Sequence, residues 1–460
     1  MSHTPDVVVL GGGSGGYACA IRAAQLGLSV TIVEADKLGG TCLHRGCIPT
    51  KALVHAAEVA DTVRDSAAFG VIAALDGLDI DRIRSYQDGV VGKLYKGLQG
   101  LVAHHGIEVV SGVGRYLGDR TVEVDGQRIT ARRAVVLATG SQPRQIPNLP
   151  VGGRIITSDE ALTLDEIPRR AVILGGGVIG VEFAGVLASF GTDVTVIEAL
   201  DRLVAAEDEW TSKQLARAFR KRGITARTST KLIGADQSGE TVTVTLDSGD
   251  TIETDMLLVA IGREPRTAGS GFAEAGIALE RGHVVVDSHL RTNHPDVWAV
   301  GDIVAGLQLA HRGFQQGLFV ADQIAGRSPA PIDEMGIPRV TYTSPEIASV
   351  GLTEAQARAQ YRTVTTVEYD LGGNGKSQIL RTTGGVKLVR AGDAATGGPV
   401  VGIHMVGDRI SELVGEAQLI VNWDAHPDDV AALVHAHPTQ SEALGEAHLA
   451  LAGQPLHAHS

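Results

Sequence analysis

The chain is poor in cysteine, in long apolar runs and in positive charge, and each shortage closes off a class of protein. Three cysteines in 460 residues are too few for a disulfide scaffold, so a cysteine pair here reads as redox or metal chemistry before it reads as a staple. A zinc site lacks its ligands: there is no CxxC and no second cysteine pair, and His44 alone cannot complete one. No apolar run approaches the ~18 residues that a bilayer span requires. A first strand beginning near Asp6 leaves no room for a targeting segment, and a cytoplasmic protein is expected. The net charge of -13 argues against nucleic acid or an anionic membrane as a partner.

Glycine, by contrast, is plentiful at 58 residues, and much of it falls in a repeated pattern. Asp6 to Leu10 reads as a short buried strand, and Gly11-Gly12-Gly13-Ser14-Gly15-Gly16 follows at once. An alanine-rich helix to Leu26, a stop at Gly27 and a second strand from Val30 to Val33 lead to Glu34. Strand, GxGxxG (Gly11, Gly13, Gly16), helix, strand and acid in that order make a dinucleotide-binding fingerprint. The glycines let the backbone approach a pyrophosphate at the helix N-terminus, and Glu34 lies where a ribose hydroxyl needs an acceptor. The unit recurs without a gap at an offset of 164 residues, Leu174 to Ala199 aligning on Leu10 to Ala35. Gly175, Gly177 and Gly180 repeat the fingerprint, Gly191 falls on Gly27, and Glu198 falls on Glu34. Two fingerprints imply two dinucleotide sites, so hydride can pass between cofactors as in a flavoprotein reductase. The length implies three or four domains.

Two of the three cysteines, Cys42 and Cys47, stand five positions apart in the stretch from Gly39 to Lys51. A regular helix would place them ~140° apart, too far for a disulfide whose Cα atoms must lie within roughly 7 Å. The segment is therefore expected to be distorted, with Gly46 permitting it, and the pair reads as a catalytic dithiol. Pro49 is expected to start a helix whose N-terminus favours a thiolate at Cys47.

This stretch resembles the active-site motif of the flavin-dependent pyridine nucleotide-disulfide oxidoreductases, whose pattern GGTCLxxGCIPxK is present in full. The resemblance runs end to end and is nearest to the members that oxidise dihydrolipoamide. It implies an α/β fold with two Rossmann-like domains, for FAD and for NAD, and a C-terminal α+β dimerisation domain. The expected divisions are 1–147 for FAD, 148–264 for NAD, a central segment 265–335 returning to the FAD domain, and 336–460 for dimerisation. FAD is expected in the first unit, because the dithiol follows it and must touch a flavin. Ala134 to Gly140 reads as a strand and tight turn beside it. Val297 to Asp302 resembles the family's second flavin motif, in which the aspartate binds the ribityl chain. Leu309-Ala310-His311 resembles the segment lining the flavin ring, and Gly114 a minor flavin contact. Thr41 and Lys51 belong to the dithiol motif, Lys51 resembling the family lysine near the flavin with Glu182 as its partner. NAD rather than NADP is expected in the second unit: the Glu198 carboxylate accepts from a 2′-hydroxyl and repels a 2′-phosphate, and no arginine pair follows it. Gly262-Arg263-Glu264-Pro265 matches the family's exit from that domain.

His437-Pro438-Thr439-Gln440-Ser441-Glu442 resembles the family's catalytic dyad, which implies His437 as acid/base and Glu442 as its orienting partner. Only a thiolate attacks a disulfide, and a histidine held by a carboxylate can supply it near neutral pH. The plainer reading is a helix start, since Thr439 and Glu442 also have capping-box spacing. His435 is expected to be a neighbour of the catalyst. By the same resemblance the partners are a second copy of the chain and the lipoyl domain of a 2-oxoacid dehydrogenase complex acyltransferase. A mercuric reductase would need a vicinal cysteine pair near the C-terminus, which is missing. A quinone reductase or a non-enzymatic flavoprotein would have no need of the dithiol.

Overall fold

The computed structural model describes residues 4–147, 149–393 and 395–457; Asn148, where the second unit is expected to begin, lies outside them. The first fingerprint folds into a five-stranded parallel sheet ordered Val297–Ala299, Ala134–Leu137, Val7–Leu10, Val30–Glu34, Glu108–Ser111. Its inner strands are apolar on both faces, as strands between two helical layers must be, and Val7, Val8 and Val9 are wholly buried. One edge strand, Val297–Ala299, comes from far down the chain and pairs with Ala134–Leu137.

The second fingerprint builds the same sheet again, ordered Ile155–Thr157, Met256–Val259, Arg170–Leu174, Asp193–Ile197, Thr225–Arg227. Each sheet also carries a three-stranded antiparallel insertion just before its third inner strand: Gly114–Gly118, Thr121–Val124 and Gln127–Thr130 in the first, Leu232–Ser238, Thr241–Leu246 and Thr251–Thr254 in the second. The sequence repeat is visible only as far as Ala35 and Ala199, whereas the fold repeats throughout. The strand at the matching edge is contributed by opposite directions of the chain, from before the second unit and from long after the first.

The C-terminal part is an antiparallel sheet ordered Arg339–Thr341, Glu346–Gly351, Val400–Gly407, Gly385–Ala391, Val364–Asp370. Helices Val414–Asn422 and Glu442–Leu451 close its core through Ala417, Ile420, Ala443, Leu444 and Ala447. The outer strand Val364–Asp370 and the strand Val400–Gly407 are rich in β-branched and other apolar residues, a strand pattern visible in the sequence. Gly385–Ala391 between them shows no such pattern, because Lys387 and Arg390 break its apolar run although the strand is buried throughout. Lys387 is buried because its Nζ donates to Asp208 Oδ1 at 2.9 Å and to Glu354 Oε2 at 2.6 Å.

Helix Ser14–Gln25 packs along helix Ala310–Ile324 with almost no space between the backbones. A Cβ on Gly317 would stand 2.3 Å from the carbonyl oxygen of Gly15 and 2.8 Å from the amide nitrogen of Cys19. Cys19 is fully buried in this seam, and burial pushes its thiol up to about 12. Gly317→Ala should therefore prise the fingerprint helix from its partner. Overpacking of this kind costs about 1–3 kcal/mol, and thermal unfolding of the purified variant, compared with Gly97→Ala where the Cβ meets open space, measures it.

Candidate active site

The dithiol sits at a break between two helices. Helix Gly40–His44 ends at Arg45, and helix Cys47–Asp65 begins directly after Gly46. A Cβ on Gly46 would lie 3.1 Å from the carbonyl oxygen of Thr41, so a small residue suits the break. The interruption brings the two side chains within hydrogen-bonding reach of each other. One expectation needs correction: Cys47, not Pro49, is the first helical residue. Pro49 falls at the third position, where the missing N–H would have had no intrahelical acceptor.

The two sulfurs are electrostatically unequal. Cys47 is lowered to about 7, first by the hydrogen bond from the Cys42 thiol and then, against burial, by the charge of Lys51 and its own backbone N–H. Cys42 is pushed up by donating that bond, by burial and by the negative charge it faces. Near neutral pH the pair therefore holds its thiolate on Cys47. The Ser14 hydroxyl also reaches Cys42. Tyr17, from the same helix, is pushed up to about 12 by burial and by the two thiols, and stays protonated.

One turn along the dithiol helix, Lys51 Nζ donates to both oxygens of Glu182, at 3.0 and 2.8 Å. Glu182 is only 3% exposed, on helix Val178–Ser189 of the second unit. Burial pulls Lys51 down, but the Glu182 carboxylate and its hydrogen bonds hold it above its ordinary value. Tyr342 completes the cluster: its backbone N–H donates to Glu182 Oε1 at 2.9 Å, and its ring lies 4.6 Å from Lys51 Nζ. Nothing in the sequence singled out Tyr342, because its only relation to the cluster is spatial.

The two fingerprints form matching cradles. Gly13 and Gly177 are the N-caps of their helices and neither helix has a side-chain cap, so the first-turn N–H groups are open to an anion. A Cβ on Gly177 would meet nothing within 4 Å, and one on Gly13 only Gly40 at 3.9 Å. Gly11, Gly16, Gly175 and Gly180 are needed for another reason. A Cβ on Gly16 would lie 1.9 Å from the oxygen of Gly11, and one on Gly180 1.9 Å from that of Gly175. Glu34 accepts from the N–H groups of Gly12 and Asp36 at 2.6 and 2.8 Å, and Glu198 from Gly176 and Leu200 at 2.6 and 2.7 Å. Each carboxylate is thereby fixed beside its glycine turn with lone pairs to spare for a ribose. This donor and acceptor set fits a dinucleotide in both units.

Other residues singled out by sequence take varied places. Asp302 Oδ2 accepts from Ser141 Oγ at 2.5 Å, and Gly140 and Gly262 are left-handed turn residues with open space beside them. Gly114 is buried against Leu10 and Val33. Leu309 caps helix Ala310–Ile324, while the His311 ring turns to the carbonyl of Pro338 at 2.7 Å. Arg263, passed over as part of a domain exit, is central: its guanidinium donates to Ser141 Oγ and carbonyl at 2.8 and 2.9 Å and reaches Thr41 Oγ1 at 3.4 Å. It ties the residue beside Cys42 to Ser141 and so to Asp302.

His437 Nδ1 lies 2.8 Å from Glu442 Oε1, while Glu442 Oε2 accepts from the Thr439 N–H, also at 2.8 Å. The helix start differs from the capping-box expectation: helix Glu442–Leu451 has Ser441 as its N-cap with no side-chain cap, and the Thr439 hydroxyl turns back to the Ala436 carbonyl. Only the Thr439 N–H to Glu442 half of the box is made, because Glu442 is engaged by the histidine. Burial pulls the Glu442 carboxyl up, but Thr439 and His437 overcome it and leave it below its ordinary value. The His437 side chain is 76% exposed, and among the described residues no hydrogen bond joins it to the dithiol.

A redox dithiol beside two dinucleotide cradles defines a two-cofactor disulfide oxidoreductase. The pyridine nucleotide-disulphide oxidoreductase family model matches residues 5–317, and the model of that family's dimerisation domain matches residues 337–448; the chain belongs to this family, with FAD and NAD(H) as its cofactors. A dihydrolipoyl dehydrogenase of Bacillus subtilis is 40% identical, covering 99% of this chain and 100% of that protein. One from Thermus scotoductus is 38% identical, covering 99% of each. Among solved structures, LpdA of Mycobacterium tuberculosis superposes with a TM-score of 0.90 at 27% identity over 97% of this chain and 99% of that one. The HOCl-induced flavoprotein disulfide reductase RclA of Escherichia coli gives 0.86 at 27% identity over 96% and 99%.

The unequal thiols give a direct expectation. On titration of the reduced protein, ultraviolet thiolate absorbance should rise through a midpoint of about 7. Lys51→Met removes a cation that favours the thiolate, so its midpoint should move to higher pH; an unmoved midpoint would detach Lys51 from the dithiol.

Proposed function

We propose that this chain is a dihydrolipoyl dehydrogenase whose substrate is the dihydrolipoyl arm on the acyltransferase of a 2-oxoacid dehydrogenase complex. The observation that carries the reading is the Cys42–Cys47 pair, with its thiolate held on Cys47 beside the Lys51–Glu182 ion pair. In this reading residues 1–147 and 265–335 form the FAD domain, 148–264 the NAD domain and 336–460 the dimerisation domain. FAD rests on the first cradle, with Gly11, Gly13, Gly16 and Glu34 at its adenosine and pyrophosphate end. Thr41, Lys51, Gly114, Gly140, Asp302 and Leu309-Ala310-His311 lie along the rest. NAD rests on Gly175, Gly177, Gly180, Glu182, Glu198 and Gly262. When bound, FAD accepts two electrons from the dithiol and NAD⁺ receives them as hydride.

The steps at this chain's own residues balance. Catalysis starts from the Cys42–Cys47 disulfide. His437 takes a proton from one substrate thiol, and the resulting thiolate attacks Cys42, forming a mixed disulfide and freeing Cys47 as a thiolate. The second substrate thiol then attacks the substrate sulfur of the mixed disulfide, its proton passing to the departing Cys42 sulfur; the lipoyl ring closes and the dithiol is left reduced by two electrons, with the first proton still on His437. Glu442 orients the imidazole and stabilises its protonated form. Lys51 stabilises the thiolate that appears on Cys47. The test is NAD⁺ reduction by dihydrolipoamide, set against reduction of glutathione and mycothiol-type disulfides. Cys47→Ser should abolish the lipoamide reaction while retaining FAD and some NADH-to-quinone transfer, whereas full lipoamide activity in that variant would refute the dithiol route.

We also propose that the chain acts as a homodimer with sites shared between subunits. The solvent-facing His437 and its separation from Cys42 and Cys47 in sequence support this. When Cys47→Ser and His437→Ala homodimers are dissociated and re-formed as mixed dimers, one site carries both defects and the other neither. Activity should return to about half that of the unsubstituted dimer, by the counting of two symmetric sites. Verified mixed dimers that stay inactive would place thiol and base in one subunit.

A further inference from the structure

Behind the His437–Glu442 pair stands a second histidine–carboxylate pair that the mechanism does not use. His435 Nε2 lies 2.8 Å from Glu416 Oε1, on helix Val414–Asn422. The His435 ring packs against Gly445, where an added Cβ would meet Nδ1 at 2.6 Å. Gly445 lies three residues beyond Glu442 on the same helix, so the ring is wedged between the helix that carries Glu416 and the helix that begins with Glu442. The segment between helix Pro427–Ala431 and Glu442 has few other ties. Asn374 Nδ2 donates to the Thr439 carbonyl at 2.9 Å and Gln440 Nε2 to the Asp408 carbonyl at 2.7 Å, and both lie on the far side of His437. His435 is the side-chain anchor on the near side.

We propose that His435, clamped by Glu416, is a positioning residue for the His437–Glu442 pair. It fixes the chain two residues before the base and places an imidazole next to the carboxylate that orients it. The proposal rests on the dihydrolipoyl dehydrogenase reading and deepens it. The charged and titratable groups facing His435 are Glu416 from one helix and Glu442 and His448 from the other. Glu416, by its hydrogen bond and against burial, and Glu442, by its charge, hold His435 above its ordinary value. His448 is wholly buried, burial pushes it down to about 4, and it is neutral at working pH. Glu416, His435, Glu442 and His437 thus alternate in charge when both imidazoles are protonated.

Two substitutions separate the anchor from the charge. His435→Ala removes both, while His435→Gln keeps a donor close to the Nε2 position and carries no charge. Holoenzymes are compared for dihydrolipoamide-dependent NAD⁺ reduction across pH, with FAD content and dimer mass checked. His435→Ala should lower kcat roughly 10-fold, as loss of an orienting partner does, with KM for dihydrolipoamide and FAD content nearly unchanged. His435→Gln should recover most of kcat. Its acid limb in kcat/KM should move to higher pH, because Glu442 no longer shares its charge with the His435 cation and favours the protonated base more strongly. A role confined to stability would lower yield or melting temperature and leave the pH profile in place. A His435→Ala enzyme at the unsubstituted kcat, equal impairment of both variants, or an unshifted acid limb in His435→Gln would each overturn the proposal. Where His435→Ala fails to fold, the acid limb of His435→Gln decides alone. An unsubstituted enzyme that does not turn over dihydrolipoamide would instead refute the functional reading.

Discussion

The ion pair between Lys51 and Glu182 is where the architecture converges. A carboxylate with 3% exposure is tolerable only if its lone pairs are used, and here Lys51 takes both oxygens while the Tyr342 N–H takes one again. The three residues come from the dithiol helix, the second dinucleotide unit and the start of the C-terminal sheet. Removing one partner of such a pair strands a buried charge, at a typical cost of about 3–5 kcal/mol. The same cation lowers the Cys47 thiol. The contact that registers the three parts of the chain therefore also sets the charge on the reactive sulfur.

A second buried network holds the second dinucleotide unit to the C-terminal sheet. Arg339, Ser349, His404 and Lys387 are paired side by side across four strands, so their side chains form one polar row on one face. Into it project Glu207 and Asp208, from just before helix Glu209–Lys221. Arg339 Nε donates to Glu207 Oε1 at 3.1 Å, Ser349 Oγ to Glu207 Oε2 at 2.5 Å, and Lys387 Nζ to Asp208 Oδ1 at 2.9 Å. His404, fully buried in the middle, is pushed down by burial and stays neutral. Two carboxylates meeting two cations make a joint whose partners must arrive together, which fixes the orientation of one unit on the other more sharply than apolar contact would.

Duplication explains much of the rest. One βαβ design, with its uncapped helix and its carboxylate docked on the glycine turn, recurs with hydrogen bonds that agree to about a tenth of an ångström at Glu34 and Glu198. The two copies diverge immediately beyond that carboxylate. After Glu34 the chain enters the broken helix that carries the dithiol, while after Glu198 it enters the acidic turn that meets the C-terminal sheet. The two cradles are alike because pyrophosphate and ribose impose the same demands on each. Only the first has sulfur beside it.

By itself the sequence determined the local chemistry. The two fingerprints, the need for a break between Cys42 and Cys47 and the acid at the end of each second strand are all short-range relations, in which residue type and spacing dictate what the backbone can do. The sequence also paired Lys51 with Glu182, but only through family likeness, since 131 positions separate them. Tertiary structure alone decided the rest. It showed that Cys47 begins its helix, that Arg263 links Thr41 to Ser141, that Tyr342 closes the ion-pair cluster, and that the strand Gly385–Ala391 is buried despite Lys387 and Arg390. The physical reason is common to the last three of these. Burying a charge becomes favourable only when a partner from elsewhere in the chain meets it, and a linear pattern does not record which distant residues will meet.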